Sequence, residues 1–197
     1  MPSETKYKGI PVSPGISIGK AYLYIRNSFE VDTEFLNENE IGKELEDFNR
    51  AIELSKKELN KIRSLTHEMI GKKNSLIFDA QLEILDDKFF ISSIVNRIHK
   101  EKRTASFIFD EEMSKIGNAL LSANDEYLKE RVADIKDVRN RVLRNMKKEK
   151  LVSKVAEYSI VIAHELTPAD TILFSKRKVQ GYATDKGGTT SHAAIVS

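Results

Sequence analysis

Proline and glycine lie mostly at the two ends of this 197-residue chain. The four prolines are Pro2, Pro11, Pro14 and Pro168, so none lies between residues 15 and 167. Only three of the nine glycines, Gly42, Gly71 and Gly117, lie in the long middle segment. Because proline removes a helical hydrogen bond and glycine weakens a helix, the middle segment is free to form long helices. This distribution predicts a helical block flanked by segments of another type.

The middle segment repeats apolar residues at the spacing of amphipathic helices. The first stripe consists of Ile41, Leu45, Phe48, Ile52, Leu59, Ile62 and Met69. Their spacing by threes and fours predicts a long helix that Gly71 ends. Similar stripes predict helices over residues 76–85, 90–98, 105–116 and 128–146, with Thr104 as a cap. Helices that each bury one stripe favour an antiparallel bundle or two helical hairpins.

The two ends of the chain predict an α/β unit. Short apolar runs at residues 9–13, 16–24, 158–163 and 179–184 are typical of strands. Thr167, Pro168 and Asp170 have the pattern of a helix start, with a capping residue, proline at the first position and an acid at the third. The predicted fold is α+β, in which residues 1–30 and 151–197 form an α/β domain and residues 31–150 form an inserted helical domain.

The composition excludes several classes of protein. Without cysteine there is no disulfide framework, thiolate metal site or cysteine nucleophile. The 32 basic and 30 acidic residues nearly cancel to a net charge of +2, which argues against a nucleic-acid binder. No apolar run approaches the ~18 residues of a membrane span, and the N-terminus has no apolar signal core. We therefore expect a cytoplasmic protein that has no nucleic-acid or membrane partner.

The densest chemical motif lies over residues 185–196, with the sequence Asp-Lys-Gly-Gly-Thr-Thr-Ser-His-Ala-Ala-Ile-Val. Paired glycines let backbone N–H groups turn toward an anion, and a following helix N-terminus adds free donors and a positive dipole end. The motif predicts a phosphate cradle around a histidine, His192. The predicted cradle residues are Gly187, Gly188, Thr189, Thr190 and Ser191.

His192 is the predicted phosphoryl acceptor. A helix N-terminus disfavours the imidazolium, so the neutral, nucleophilic ring is favoured. An oxygen partner on one ring nitrogen would fix the tautomer and leave the other nitrogen to attack. Thr171, on the first turn of the neighbouring predicted helix, is the candidate for that partner. From the spacing alone, a glycine turn followed by a surface histidine remains an alternative. The other histidines, His67, His99 and His164, are isolated in the sequence and are interpreted as surface residues.

Residues 187–195 resemble the phosphohistidine motif of phosphoenolpyruvate-utilising enzymes. That group includes phosphoenolpyruvate synthase, pyruvate phosphate dikinase and Enzyme I of the bacterial sugar phosphotransferase system. Three further stretches resemble parts of Enzyme I. Residues 8–21 resemble its N-terminus, residues 125–135 resemble its fourth helix, and residues 166–171 resemble its Leu-Thr-Pro-Ser-(Asp/Glu)-Thr segment. The resemblance implies an α/β phosphohistidine (swivelling) domain, incomplete at its C-terminus, with an inserted helical subdomain that binds the carrier protein HPr.

The resemblance also implies a function, that of a kinase-type transferase in sugar transport. Enzyme I takes a phosphoryl group from phosphoenolpyruvate onto a histidine and passes it to HPr. His192 matches the phosphorylated residue, which carries the group on Nε2, and Thr171 matches the threonine that bonds the other ring nitrogen. By position, the HPr-docking surface comprises Gln81, Ile84, Phe90, Leu128 and Arg131. Core packing explains Ile84, Phe90 and Leu128 equally well, and Arg131 also fits a solvated helix face.

Two departures qualify the resemblance. The family usually has arginine where this chain has Thr189, so a phosphate-facing cation is missing there. The chain also ends five residues after His192, whereas Enzyme I continues into a (β/α)8 barrel that binds phosphoenolpyruvate and Mg²⁺ and mediates dimerisation. We therefore expect no metal site in this chain, no activity with phosphoenolpyruvate by itself, and a monomer where the full-length enzyme is a homodimer.

Two alternatives remain at this stage. The helical block could act as a non-catalytic HPr-binding module. The chain could instead contain the swivelling domain of a synthase or dikinase. Those enzymes lack the HPr-docking insert, so the segment over residues 125–135 argues against the second alternative.

Overall fold

A computed structural model describes residues 4–25, 31–149 and 155–187 of the chain. The chain divides into two compact units. We call the unit of residues Met1–Arg26 and Ser153–Ser197 the α/β unit, and the unit of residues Asn27–Val152 the helical unit.

The helical unit contains seven helices among the described residues. They are α1 (Ile41–Ile70), α2 (Lys72–Ser75), α3 (Ile77–Asp86), α4 (Lys88–Glu101), α5 (Ala105–Leu121), α6 (Glu126–Glu130) and α7 (Val132–Met146). The first of these helices ends where the sequence predicts, at Gly71, whose φ of +89° suits glycine and whose N–H donates to the carbonyl of His67. Thr104 caps α5 as predicted, because its side chain accepts from the Phe107 N–H.

The long helix α1 packs against α7, α3 and α5 around one apolar core. Phe48, Leu59 and Ile62 of the predicted stripe are fully buried, and the Phe48 ring lies 6.1 Å from that of Phe109 on α5. The stripe prediction is wrong at its last member. Met69, in the final turn of α1, is half-exposed.

A buried ionic cluster connects α1 to α7. Glu58 accepts hydrogen bonds from Arg141, at 3.1 Å, and from Arg144. The Arg141 guanidinium also lies 3.3 Å from the Asp137 carboxylate. Burial lowers the pKa of Arg144 below its ordinary value, against the opposing effect of Glu58. Two buried cations thus face two carboxylates, an arrangement that fixes the register of α7 on α1 since any slip would leave a buried charge unpaired.

A second ionic cluster holds α4 against α5. The Arg97 guanidinium donates to Glu101 on its own helix at 2.6 Å and to Glu111 on α5 at 2.6 Å. It also donates to Glu112 on α5. The hydrogen bond from Arg97 is the main cause that lowers the pKa of Glu101. The guanidinium of Arg97 therefore links α4 to α5 through hydrogen bonds to three carboxylates.

The last predicted helix is in fact two helices. The sequence predicts one helix over residues 128–146, but α6 ends at Glu130 and α7 begins at Val132. Between them, the Arg131 N–H donates to the carbonyl of Leu128 at 3.1 Å, three residues back rather than four. This tighter bond interrupts the α-helical ladder and produces the break.

The α/β unit is built on a parallel sheet of three strands. The strands are β1 (Ala21–Tyr24), β2 (Ile160–Ala163) and β3 (Gly181–Thr184), in the order β1-β2-β3, and α8 (Pro168–Ser175) connects β2 to β3. A core of Val155, Val161, Ala163, Leu166 and Phe174 packs with Tyr22, Tyr24, Val179 and Tyr182. Burial in this core raises the pKa of Tyr182 to about 12.

The predicted strands are longer than the observed ones. Residues 4–20 form no strand, and Ile16 and Ile18 are almost fully exposed. The run at 158–163 becomes a strand only at Ile160, since Tyr158 has a φ of +60°, which a strand does not allow. Gly19 lies so close to this turn that a Cβ there would approach the Tyr158 carbonyl oxygen to 2.6 Å.

No helix among the described residues combines the length and the apolar character needed to cross a membrane.

Replacing Arg97 by methionine tests the cluster between α4 and α5. We expect the free energy of unfolding of the helical unit to fall by about 1 kcal/mol, because three charge-assisted hydrogen bonds are lost from a partly solvated site. Urea denaturation measures this difference. The folded state lowers the pKa of Glu101, so the contribution is present above the ordinary value of 4.5 and disappears as the pH falls through the folded value.

The control for this variant is Arg50→Met, which removes an exposed pair with Asp47 on one helix. We expect it to change stability by less than about 0.5 kcal/mol. Equal losses in both variants, or a loss for Arg97→Met that does not diminish in acid, would contradict the assignment.

Candidate phosphoryl-transfer site

The three parallel strands end at one edge of the sheet. In the observed register, Tyr24 on β1, Ala163 on β2 and Thr184 on β3 lie in one row as the last residues of their strands. Ligands of open parallel sheets bind at this carboxyl edge. The edge therefore places the start of α8, which follows β2, beside the start of the predicted phosphate cradle, which follows β3.

The segment after β3 continues the pairing and then turns. The Asp185 N–H donates to the Ala163 carbonyl at 3.2 Å, and the Lys186 N–H donates to the His164 carbonyl at 2.9 Å. Gly187 then has a φ of +104°, a conformation that favours glycine. The other predicted cradle residues and the nucleophile, namely Gly188, Thr189, Thr190, Ser191 and His192, lie outside the described residues.

His164 has a partner that its place in the sequence does not reveal. Its side chain is 66% exposed, as a surface residue should be, but its Nδ1 lies 3.2 Å from Asp185 Oδ2. The pair joins the loops that follow β2 and β3. Only the strand register brings these residues together, since they are 21 positions apart in the chain.

The first turn of α8 is held by a capping box, as predicted. Thr167 Oγ1 accepts from the Asp170 N–H at 3.2 Å, and Asp170 Oδ2 accepts from the Thr167 N–H at 3.0 Å and from its hydroxyl at 2.8 Å. Asp170 is only 6% exposed, and its other oxygen, Oδ1, accepts from the Tyr24 hydroxyl at 3.1 Å. Both carboxylate oxygens of this buried acid are thus occupied.

Thr171 presents a hydrogen-bond acceptor. The residue is 2% exposed, and its Oγ1 lies 2.8 Å from the carbonyl oxygen of Pro168. Because a carbonyl oxygen only accepts, the Thr171 hydroxyl is the donor in that bond. Its oxygen can then only accept from any further polar partner. An imidazole bound there would have to present an N–H, which leaves its other nitrogen with a free lone pair.

In the helical unit, Gln81 is buried rather than exposed. Only 2% of it is accessible, and its Nε2 donates to Asp134 Oδ1 at 3.1 Å. The other oxygen of Asp134 accepts from Arg131 at 3.3 Å. The Gln81 side chain therefore holds Asp134, which in turn orients Arg131, and a direct place of Gln81 on a docking surface stays a prediction. The Arg131 side chain is 34% exposed and remains accessible to a partner.

The other predicted docking residues are half-buried, and one exposed aromatic was missed. Ile84, Phe90 and Leu128 are partly accessible, and the Phe90 ring lies 6.4 Å from Phe109 in the core. Phe89 is 83% exposed. Phe90 shares the inward face of α4 with Ile94 at helical spacing, which places Phe89 on the outer side. The same periodicity that predicted the core could therefore have identified Phe89.

Two family models match successive parts of the chain. Residues 8–131 match the model described as PEP-utilising enzyme, N-terminal, and residues 155–197 match that of the PEP-utilising enzyme, mobile domain. The chain belongs to the phosphoenolpyruvate-utilising enzymes. Its similarity extends to curated proteins described as phosphoenolpyruvate-protein phosphotransferase. The protein of Staphylococcus epidermidis is 41% identical over 194 residues, and that of Listeria innocua is 35% identical over 192 residues.

Both matches cover 96% of this chain but 33% of the relative, so the chain spans about one third of the length of these phosphoenolpyruvate-utilising enzymes. Among solved structures, an Enzyme I protein (nEIt) determined by NMR is 38% identical with a TM-score of 0.78. That match covers 93% of this chain and 75% of the other. The N-terminal domain of "Enzyme 1 - Nitrogen" has a TM-score of 0.72 at 20% identity, over 94% of this chain and 76% of the other, which shows the shared fold alone. The predicted resemblance to the N-terminal part of Enzyme I and the predicted α+β fold are confirmed.

Replacing Asp170 by alanine tests the capping network of α8. We expect the α/β unit to lose about 2 kcal/mol of unfolding free energy, because Thr167 and Tyr24 lose their buried charged acceptor. Chemical denaturation followed by tyrosine fluorescence measures the loss. Asp185→Ala is the matched control, since Asp185 is exposed and its loss should cost less than about 0.5 kcal/mol. Similar losses for both variants would be inconsistent with the network.

Proposed function

We propose that this chain is the phosphoryl-carrying N-terminal part of a phosphoenolpyruvate–protein phosphotransferase. In this proposal His192 accepts a phosphoryl group on Nε2 and passes it to the histidine of the carrier HPr. The observation that supports it most directly is Thr171, a buried hydroxyl at the carboxyl edge that can only accept a further hydrogen bond. Such an acceptor selects the imidazole tautomer whose other nitrogen is nucleophilic.

The transfer follows from that tautomer. The Nε2 lone pair of His192 attacks phosphorus, a P–N bond forms, and the bond from phosphorus to the donor breaks. With phosphoenolpyruvate, the P–O bond breaks and the electron pair leaves with the enolate of pyruvate. With phosphorylated HPr, the P–N bond breaks and the electron pair returns to the imidazole of HPr. Backbone N–H groups after Gly187 would stabilise the charge on the phosphoryl oxygens.

Phosphoenolpyruvate and Mg²⁺ belong, in this proposal, to the part of the enzyme that this chain does not span. Within residues 4–25, 31–149 and 155–187, no three histidine or acidic side chains come together as a metal site would require. The chain by itself would exchange its phosphoryl group with HPr but not with phosphoenolpyruvate. We also propose that it acts in the cytoplasm in sugar uptake, as a monomer by itself and as a homodimer at full length.

The proposed docking surface for HPr consists of Ile84, Phe90, Leu128 and Arg131. Half-buried apolar side chains and an accessible guanidinium suit a contact with a small protein, because the apolar groups lose water and the charge gives orientation. The Asp134 carboxylate accepts a hydrogen bond from the Arg131 guanidinium and another from the side-chain amide of Gln81. Gln81 thus contributes indirectly.

Labelling with phosphorylated HPr tests the proposed chemistry. The 197-residue chain should gain a phosphoryl group, and His192→Ala should gain none. Thr171→Val, which removes the acceptor and keeps the shape, should slow labelling about tenfold or more, whereas Thr171→Ser should retain most of the rate. Autoradiography and mass spectrometry measure the product. Equal labelling of wild type and His192→Ala would refute the assignment, and HPr binding without any labelling would favour a non-catalytic module.

Calorimetric titration with unphosphorylated HPr tests the docking surface. Arg131→Ala and Leu128→Ala should each weaken binding about tenfold, since each removes an anchor from the contact. Arg50→Ala, which removes an exposed arginine of α1, should leave the affinity unchanged. Circular dichroism verifies that each variant is folded. Unchanged affinity for both docking variants would place the HPr contact elsewhere.

A further inference from the structure

Arg103, just before α5, lies over two aromatic rings. Its guanidinium carbon is 4.4 Å from the centroid of the Phe35 ring and 4.0 Å from that of the Phe107 ring. The face of each ring attracts the cation electrostatically. A ring offers no oxygen acceptor, so these two contacts leave the five N–H donors of the guanidinium available for a further partner.

The backbone holds both rings in place around this guanidinium. Phe35 pairs with Arg103 in an antiparallel bridge, and the Leu36 N–H donates to the Lys102 carbonyl at 2.7 Å. Phe107 lies in the first turn of α5, four residues after Arg103. The cation is therefore oriented before any ligand arrives, which lowers the entropy that a ligand would lose on binding.

Arg103 differs from every other arginine in the described part of the helical unit. For its side chain, the described residues supply no hydrogen bond and no ion pair. The other seven arginines each form an ion pair with a carboxylate, and they are Arg50, Arg63, Arg97, Arg131, Arg139, Arg141 and Arg144. The acid that would match Arg103 is thus missing from its own described surroundings.

The acids that contact the residues on either side of Arg103 have other partners. Glu38 pairs with Lys102, and Glu44 Oε1 accepts from the Ala105 N–H at 2.7 Å. Each of these carboxylates is held by a neighbour of Arg103 rather than by Arg103 itself. The guanidinium is therefore open to an acid group from outside this segment.

We propose that Arg103 is a binding site for a carboxylate, which receives two N–H donors from the guanidinium while Phe35 and Phe107 hold the cation. The planar fork of a guanidinium matches the two oxygens of one carboxylate. Residues 32–44 contain five acidic residues and one basic residue, so the surroundings disfavour a doubly charged phosphate more than a singly charged carboxylate. The inference does not depend on the proposed function.

Phe35 also offers an apolar contact beside the proposed carboxylate. The residue is 73% exposed, although its ring is held over the guanidinium. An arginine next to an exposed aromatic ring has the composition of the residues that dominate binding energy at protein interfaces. An acidic side chain with apolar neighbours would therefore use both parts of this site.

NMR titration with acetate tests the site. Acetate replaces chloride at constant ionic strength in a solution of the ¹⁵N-labelled 197-residue chain, and the side-chain Nε–H cross-peak of Arg103, assigned from its loss in Arg103→Lys, is followed. This cross-peak should shift saturably. The Nε–H of Arg63, which already pairs with Asp79, is the internal control and should show no saturable shift.

Two variants separate the role of the rings from a general effect of charge. Phe35→Leu should weaken acetate binding about threefold, because the cation loses one of the rings that hold it. Phe89→Leu is the matched control, since Phe89 is an exposed phenylalanine elsewhere on the helical unit and its loss should leave the affinity unchanged. Circular dichroism verifies that both variants are folded.

A blocked peptide, acetyl-Leu-Glu-Leu-amide, distinguishes the two sources of a carboxylate. Binding about tenfold tighter than that of acetate would identify an acidic side chain of a protein partner, and binding no tighter than acetate would identify a small free acid. The inference is wrong if the Arg103 cross-peak shows no saturable shift, if Arg63 shifts in the same way, or if Phe35→Leu leaves the affinity unchanged. Inorganic phosphate that binds as tightly as acetate would overturn the assignment to a carboxylate.

Discussion

The parallel pairing of β1, β2 and β3 is the constraint on which the α/β unit depends. β2 lies at the centre, so it joins a strand near the start of the chain to one near residue 181. Parallel neighbours cannot be joined by a tight turn, and the connection between β1 and β2 has to be long. The helical unit lies within that connection. The α/β unit is therefore interrupted once in the sequence, and the chain forms two compact units.

The same pairing creates the candidate site. Because parallel strands end at one edge, the register brings Tyr24, the start of α8 and the segment that leads to Gly187 to the same place. The helix contributes an acceptor, Thr171, whose direction is fixed by the carbonyl of Pro168. In the proposed function the edge supplies orientation, and the histidine motif that follows Gly187 supplies the nucleophile. Neither segment contains both parts of this chemistry.

The helical unit is organised by charge pairs as well as by its apolar core. Glu58, Arg141 and Arg144 fix α7 on α1, and Arg97 fixes α4 on α5. Two hydrogen bonds connect Gln81 to Asp134 and Asp134 to Arg131. They link a buried amide to an accessible guanidinium. Packing inside the unit thus determines how a charge is presented on its outside.

The sequence by itself determined the elements whose signals are local. The stripe of α1 apart from Met69, the end of α1 at Gly71, the cap at Thr104 and the start of α8 each depend on residues a few positions apart, and all four are observed. The motif of residues 187–195 was likewise sufficient to indicate the family. Such signals can be identified in the sequence because backbone geometry fixes the relative positions of residues that are a few places apart.

Only the tertiary structure decided which side chains are accessible and which distant groups meet. The burial of Gln81 and the contact of Tyr24 with Asp170 each depend on how separate elements pack. The break at Arg131 and the late start of β2 after Tyr158 also follow from backbone conformations that apolar spacing does not encode. Spacing along a chain describes one helix or strand at a time, whereas a site forms where several of them converge.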